Sequence, residues 1–251
     1  MAQERSVFAS PFSTPTLNFY GVPGLIDMPD ASAMGDGQVA IAVSSFGGQT
    51  RTNFTFQFSP RIAVTFRYVG IQDWNSDGFD TYRDRSFDLR YLVMREGRFA
   101  PTVSFGLQDL AGTGIYAAEY WVATKTFDRP FQLSGTWKVT VGLGWGRLGS
   151  AGSIGSPFGT DRPQFVPGDP GGELSADQWF RGPVSPFGGL EWAVNDRLSL
   201  KAEYSTDSYV AETTRDVISN RSRLNFGVEY QVSPAFRIGT YWLYGSEIGV
   251  N

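Results

Sequence analysis

The stretch Arg51-Thr-Asn-Phe-Thr-Phe-Gln-Phe58 decides the fold. Phe54, Phe56 and Phe58 fall on one parity, while Arg51, Asn53, Thr55 and Gln57 fall on the other. Successive side chains of a strand point to opposite faces, so this stretch is a ribbon with one apolar and one polar side. The pattern recurs with no convincing amphipathic helix between copies. It predicts strands over 38–46, 50–58, 61–70, 84–94, 99–108, 115–126, 131–147, 186–194, 198–206, 221–232 and 235–245.

The connections alternate in length. Ser59-Pro60, Glu96-Gly97-Arg98, Asp128-Arg129-Pro130, Asn195-Asp196-Arg197 and Ser233-Pro234 are short and built from turn formers. Longer loops fall at 71–83, 109–114, 148–185 and 207–220; on that side only Gly47-Gly48 is short. Aromatics flank both sets: Phe58, Phe99, Phe127, Phe131, Trp192, Tyr230 and Phe236 near the turns, Tyr68, Tyr82, Tyr116, Trp145, Trp179, Tyr204 and Tyr244 towards the loops. Tight turns at one end, long loops at the other and two aromatic belts describe an all-β, antiparallel, up-and-down transmembrane β-barrel. A soluble β-sandwich that binds carbohydrate is the alternative, because alternation by itself suits both.

With 251 residues the chain is long enough for one large β domain. The net charge of −4 argues against a nucleic-acid partner. Cysteine is absent, which removes disulfides and thiolate metal sites. Histidine is also absent, which removes the commonest general base and most zinc sites. No run is long and apolar enough for a transmembrane helix, which leaves a membrane barrel open.

Residues 1–36 are rich in Pro, Ser and Gly and lack periodicity, so they read as an extended periplasmic segment ahead of a barrel at 37–251. Met1-Ala-Gln-Glu-Arg5 has no apolar stretch behind it, as in a mature or excised chain with a start methionine added. Bacterial barrels normally have an even strand number. About twelve strands are therefore expected, with 247–251 the start of a last strand that is cut short and continues in the full protein.

On the polar parity lie Arg51, Arg67, Asp88, Arg90, Glu119, Lys125, Glu191, Lys201, Glu203, Arg223 and Glu229. In a barrel they line the lumen, either as a polar, sugar-contacting conduit or as internal ion pairs that seal it. Trp121 and Tyr241 share that parity and are placed to stack on sugar rings. Glycines on the same face, including Gly142, Gly227 and Gly239, leave room beside them. Phe56 and Val141 should face lipid, and Arg67 and Asn225 the lumen. Two of Glu191, Glu203 and Glu229 are a conceivable glycosidase pair, which makes a polysaccharide-modifying barrel the enzymatic alternative. Asp73, Asn75, Asp77 and Asp84 fit the spacing of a calcium loop, with Gly78 at the sharp turn. Asp in place of the closing Glu and the lack of flanking helices favour a solvated loop instead. Gly144-Trp-Gly-Arg-Leu-Gly149 matches a dinucleotide motif only formally, since no helix follows it.

Six stretches together resemble the YjbH/GfcD-type exopolysaccharide outer-membrane protein family. They are Asn18-Phe-Tyr-Gly-Val-Pro-Gly-Leu-Ile-Asp-Met-Pro29, Asp84-Arg-Ser-Phe-Asp-Leu-Arg-Tyr91, Gly112-Thr-Gly-Ile-Tyr-Ala-Ala-Glu-Tyr120, Gly144-Trp-Gly-Arg-Leu-Gly149, Pro186-Phe-Gly-Gly-Leu-Glu-Trp192 and Tyr244-Gly-Ser-Glu-Ile-Gly-Val250. The resemblance implies a barrel in the Gram-negative outer membrane, encoded with exopolysaccharide or capsule secretion genes. It implies outer-membrane lipid, polysaccharide and other secretion proteins as partners, and no catalytic residues. Members of the family are longer, with a second barrel-like half, and some are lipoproteins; the missing cysteine departs from that. The expected function is non-enzymatic help in export or surface assembly of the polymer.

Overall fold

The structure is a computed structural model that describes residues 14–74, 81–163, 172, 174 and 176–251. Twelve strands form one closed antiparallel barrel, each hydrogen-bonded to its neighbours in sequence: β1 (Val39–Phe46), β2 (Gln49–Gln57), β3 (Ile62–Gln72), β4 (Thr81–Met94), β5 (Thr102–Ala111), β6 (Ala118–Asp128), β7 (Thr136–Gly146), β8 (Ser185–Ala193), β9 (Leu198–Tyr204), β10 (Leu224–Ser233), β11 (Phe236–Leu243) and β12 (Glu247–Val250). The predicted strands are present, and the twelfth begins at Glu247. The largest shift in boundary is at β7, expected from Phe131. Arg129 and Phe131 adopt φ of 45° and 52°, which curls 130–132 into a 3-10 turn and delays the strand to Thr136.

The alternation of β2 sorts as expected. Arg51, Asn53, Thr55 and Gln57 are buried inside, while Phe54 and Phe58 are exposed outside. The outer wall carries exposed Val39, Ile41, Val43, Phe66, Phe87, Val141, Phe226, Val228, Ile238 and Trp242. The barrel is thus inverted relative to a water-soluble fold, with charges in and apolar side chains out. Short connections gather at one end and long ones at the other. At the short-turn end Trp137 and Trp192 stack at 4.9 Å, and both indole N–H groups donate to the Ser134 carbonyl.

The N-terminal segment differs from its expected place. Residues 16–31 lie within the barrel, and Phe19, Tyr20, Leu25, Ile26, Met28 and Asp27 are buried. Lack of periodicity ruled out a strand there but said nothing about which side of the wall the segment occupies. It is a knot held by its own backbone: Phe19 N–H donates to Ile26, Leu25 to Met28, Gly24 to Thr16 and Asp30 to Pro23. The Asn18 side chain accepts from the Tyr20 and Val22 amides and donates to the Asp27 carbonyl. Gly21 sits at φ 75°, and a Cβ there would come within 2.2 Å of Asn53. The apolar core therefore lies between plug and wall, in three clusters. Phe19 and Ile26 pack on Phe46, Tyr241 and Leu243; Tyr20 and Val22 on Val69, Ile71 and Tyr116; Met28 and Ala31 on Tyr120, Val122 and Phe187.

Candidate functional site: the plugged lumen

β9 places Lys201 and Glu203 two residues apart, so both point inward. The Glu203 carboxylate accepts the backbone N–H of Ile26 at 2.8 Å, of Asp27 at 2.9 Å and of Met28 at 2.9 Å, and the Asn225 amide at 2.9 Å. Lys201 donates to the carbonyls of Gly24 at 3.2 Å and Leu25 at 2.6 Å, and pairs with Glu229 at 2.7 Å. One strand thus clamps both polarities of the 24–28 turn. Across the lumen, Arg90 on β4 donates to the carbonyls of Pro23, Asp30 and Ser32. Lys138 on β7 bridges Asp30 at 3.0 Å and Glu191 at 3.1 Å. Thr16 also donates to Glu191.

Asp27 of the plug faces the long-loop end. It accepts the hydroxyls of Tyr209, at 2.7 Å, and Tyr244, and lies 3.5 Å from Arg51. The 205–223 connection dips into the barrel mouth, burying Tyr209, Glu212 and Ile218. Arg147 ties it down through Asp207 at 2.6 Å and Glu212 at 2.8 Å, with its guanidinium between the rings of Tyr116 and Tyr209. Burial pushes the Asp207 carboxyl up to about 6, against the opposing pull of Arg147. Charges in a low-dielectric interior must be paired and hydrogen-bonded to be tolerated. Here many partners are groups of the plug.

Of the predicted lumen residues, Arg51, Arg67, Asp88, Arg90, Glu191, Lys201, Glu203, Glu229 and Tyr241 are buried in the interior. Arg67 pairs with Asp88 and lies over the Tyr20 ring. Four others are not in the lumen. Trp121 is 41% exposed on the outer wall, because in β6 the inward parity belongs to Tyr120, Val122 and Thr124. Lys125 shares the outward parity and pairs with Glu96 at the short-turn end. Glu119 is buried, but on the outward parity, where Arg162 grips it at 2.6 Å and the Phe180 N–H donates to it. Arg223 precedes β10 and is exposed at the rim, donating to the Tyr204 hydroxyl. Nor do the inner-wall glycines leave room: Phe187 fills the space over Gly142, and Tyr241 that over Gly227 and Gly239. Tyr241 donates to Glu229 and packs edge-on to Phe19, so its faces are taken.

Of the calcium-spaced residues, the two that the structure describes do not share a loop. Asp73 is exposed, whereas Asp84 lies inside β4, fully buried, accepting the Thr113 hydroxyl. Asn75 and Asp77 fall outside the described residues. Among the described residues, no group of three or more acidic side chains is placed to hold a metal. The three glutamates of the glycosidase reading are all engaged with lysines or plug amides, at the distances given above. Parity alone would have found one missed residue, Lys138, in line with Thr140. Asp27 and Asp30 lie in an aperiodic stretch and gave no such signal, and Arg147 falls on the outward parity at the end of the strand expected over 131–147.

The sequence profile of the YjbH family, described as "Exopolysaccharide biosynthesis protein YbjH", matches residues 16–251. The chain belongs to the YjbH family. The match begins at Thr16, the first plug residue that touches the wall glutamates, so plug and barrel are one family unit. A curated relative, the "Uncharacterized lipoprotein YjbH" of Escherichia coli (strain K12), is 28% identical over 254 residues, 94% of this chain. This chain spans about a third of that relative's length (35%). Among solved structures, "NanC porin structure in rhombohedral crystal form" aligns over 85% of this chain and 98% of its own, at 10% identity and a TM-score of 0.40.

Proposed function

We propose that this chain is a plugged outer-membrane barrel that assists export or surface assembly of an exopolysaccharide without itself catalysing a reaction. The apolar outer wall, the turn and loop asymmetry, the family description and a lipoprotein relative support the membrane and polymer parts. The observation that carries the non-enzymatic part is the engagement of Glu203 with three plug amides. A general acid or nucleophile needs a carboxyl open to substrate. With the lumen filled, polymer contact falls to the loop end, or to a wall bared by movement of the plug. Partners are then the polymer, lipid and other secretion proteins.

The test is surface polymer in cells that lack the protein or carry Arg90→Ala, which frees three plug carbonyls, at matched barrel levels. Loss or shortening of polymer in the null strain and a changed amount in Arg90→Ala are expected. Unchanged polymer in the null strain would refute the role. Cleavage of purified polymer by the wild type but not by Glu203→Gln would replace it with the enzymatic reading.

A further inference from the structure

Three register rows cross β2, β3 and β4 on the outer wall. The lowest of them is Phe54, Phe66 and Phe87, all exposed, with the last two rings 5.2 Å apart. Two residues further towards the long-loop end stand Thr52, Tyr68 and Arg85, and two further again stand Thr50, Gly70 and Arg83. Both arginines are exposed on the outward parity of β4, since Tyr82, Asp84 and Ser86 take the inward one. A wall that is apolar up to the phenylalanine row thus turns cationic and rich in hydroxyls within two steps.

Two other outward charges are matched by an opposite one: Glu119 by Arg162 and Lys125 by Glu96. Among the described residues, neither Arg83 nor Arg85 forms an ion pair. Arg85 lies over the Tyr68 ring at 5.9 Å, which orients it across its row. Gly70 leaves a notch between Thr50 and Arg83, where an added Cβ would meet only Thr81, at 3.6 Å. Along a strand tilted by about 40°, every two residues climb roughly 5 Å. The polar layer of one leaflet is about 5–8 Å deep, so both arginines fit within it above phenylalanines that face hydrocarbon. A lipid-facing charge is tolerated near such an interface and not at the midplane.

We propose that this face binds a phosphorylated glycolipid of the outer leaflet. Its phosphate lies between Arg83 and Arg85, its sugar against Thr50, Thr52 and Tyr68, and its acyl chains on Phe54, Phe66 and Phe87. The site rests on the outer-membrane reading above, in which the long-loop end faces outward. Arginine forks match phosphate oxygens in pairs, which a lone ammonium does not. The anion also relieves the repulsion between two like charges on one face. A glycerophospholipid would meet the arginines and the phenylalanines, but it brings no sugar to the row of hydroxyls between them.

The test inserts the full-length protein into phosphatidylcholine vesicles carrying a trace of lipid A, of dephosphorylated lipid A or of phosphatidylglycerol. The protein is then extracted and washed in neutral detergent, and the lipid it keeps is counted by native mass spectrometry. Stoichiometric retention of lipid A is expected. Retention of the dephosphorylated form, and of lipid A by the double variant Arg83→Gln, Arg85→Gln, should each be lower by about tenfold or more. Equal retention of lipid A by variant and wild type would overturn the proposal by placing the lipid elsewhere. Equal retention of phosphatidylglycerol would overturn it in favour of any anionic lipid. Release of lipid A by millimolar inorganic phosphate in the wash would overturn it in favour of a site for the free ion. The dephosphorylated arm needs only the wild type, so it decides the matter even where the variant fails to fold: equal retention of both forms refutes the phosphate contact. Insertion without retention of lipid A overturns the site alone, whereas failure to insert overturns it together with the membrane reading.

Discussion

Glu203→Ala isolates the clamp that holds the plug. The substitution removes an acceptor from three backbone N–H groups and from the Asn225 amide, all buried. A buried donor left unsatisfied costs about 1–3 kcal/mol, and hydrogen bonds to a charged acceptor lie at the upper end. Four donors give a ceiling near 12 kcal/mol. Water entering the vacated space and relaxation of the turn lower this to roughly 4–6 kcal/mol on the docking of 24–28, as such contributions are not additive. Since 1.4 kcal/mol is a factor of ten, the opening equilibrium of the plug should rise by about a thousandfold or more. Hydrogen exchange in detergent reads this directly at the amides of Ile26, Asp27 and Met28. Limited proteolysis should then cut within 16–31 while the barrel keeps its folded mobility on a gel. The β9–β10 ladder is far less affected, because its backbone pairs do not involve the carboxylate. If these three amides exchange as slowly in Glu203→Ala as in the wild type, the carboxylate does not hold the plug and the account of the lumen is wrong.

Two further outcomes follow from the wall and from the mouth. Phe226→Arg puts a charge on the outer wall and should cost roughly 2–4 kcal/mol if that wall faces lipid, lowering the folded fraction in a heat-modifiability gel; equal folding in bilayers would count against the membrane reading. Asp207 binds a proton near pH 6 in the folded chain but near 3.8 as a free carboxyl. Across that window the folded form holds more protons, so the penalty for a buried carboxylate is relieved and stability should rise as the pH falls from 7 to 5. Asp207→Asn should show less of this rise in its melting temperature, and an identical rise in both proteins would exclude Asp207 as its source.

Much of the barrel is written locally. The side-chain period of two in Arg51–Phe58, and in the other strands, separates an inner from an outer wall residue by residue, because parity depends only on the extended backbone. Turn formers at the five short connections set the order of hairpins, and so the antiparallel topology. The same parity placed Arg67, Asp88, Arg90, Lys201, Glu203 and Glu229 inside. It failed for Trp121 and Lys125, where the strand assumed between 115 and 126 was read on the wrong face.

What the sequence alone did not contain is the occupant of the lumen. Residues 16–31 carry no period, because a knot tied by its own carbonyls and amides needs none. The partners that hold it are far away in the chain: Glu203 lies 176 residues from Asp27. Only closure of the barrel brings them together, and closure is a property of twelve strands at once rather than of any one. The inner charges were therefore legible as inward-facing, but whether they faced water, sugar or the chain itself was decided by tertiary structure. Burial forces each charge to find a partner, and the plug supplies many of them.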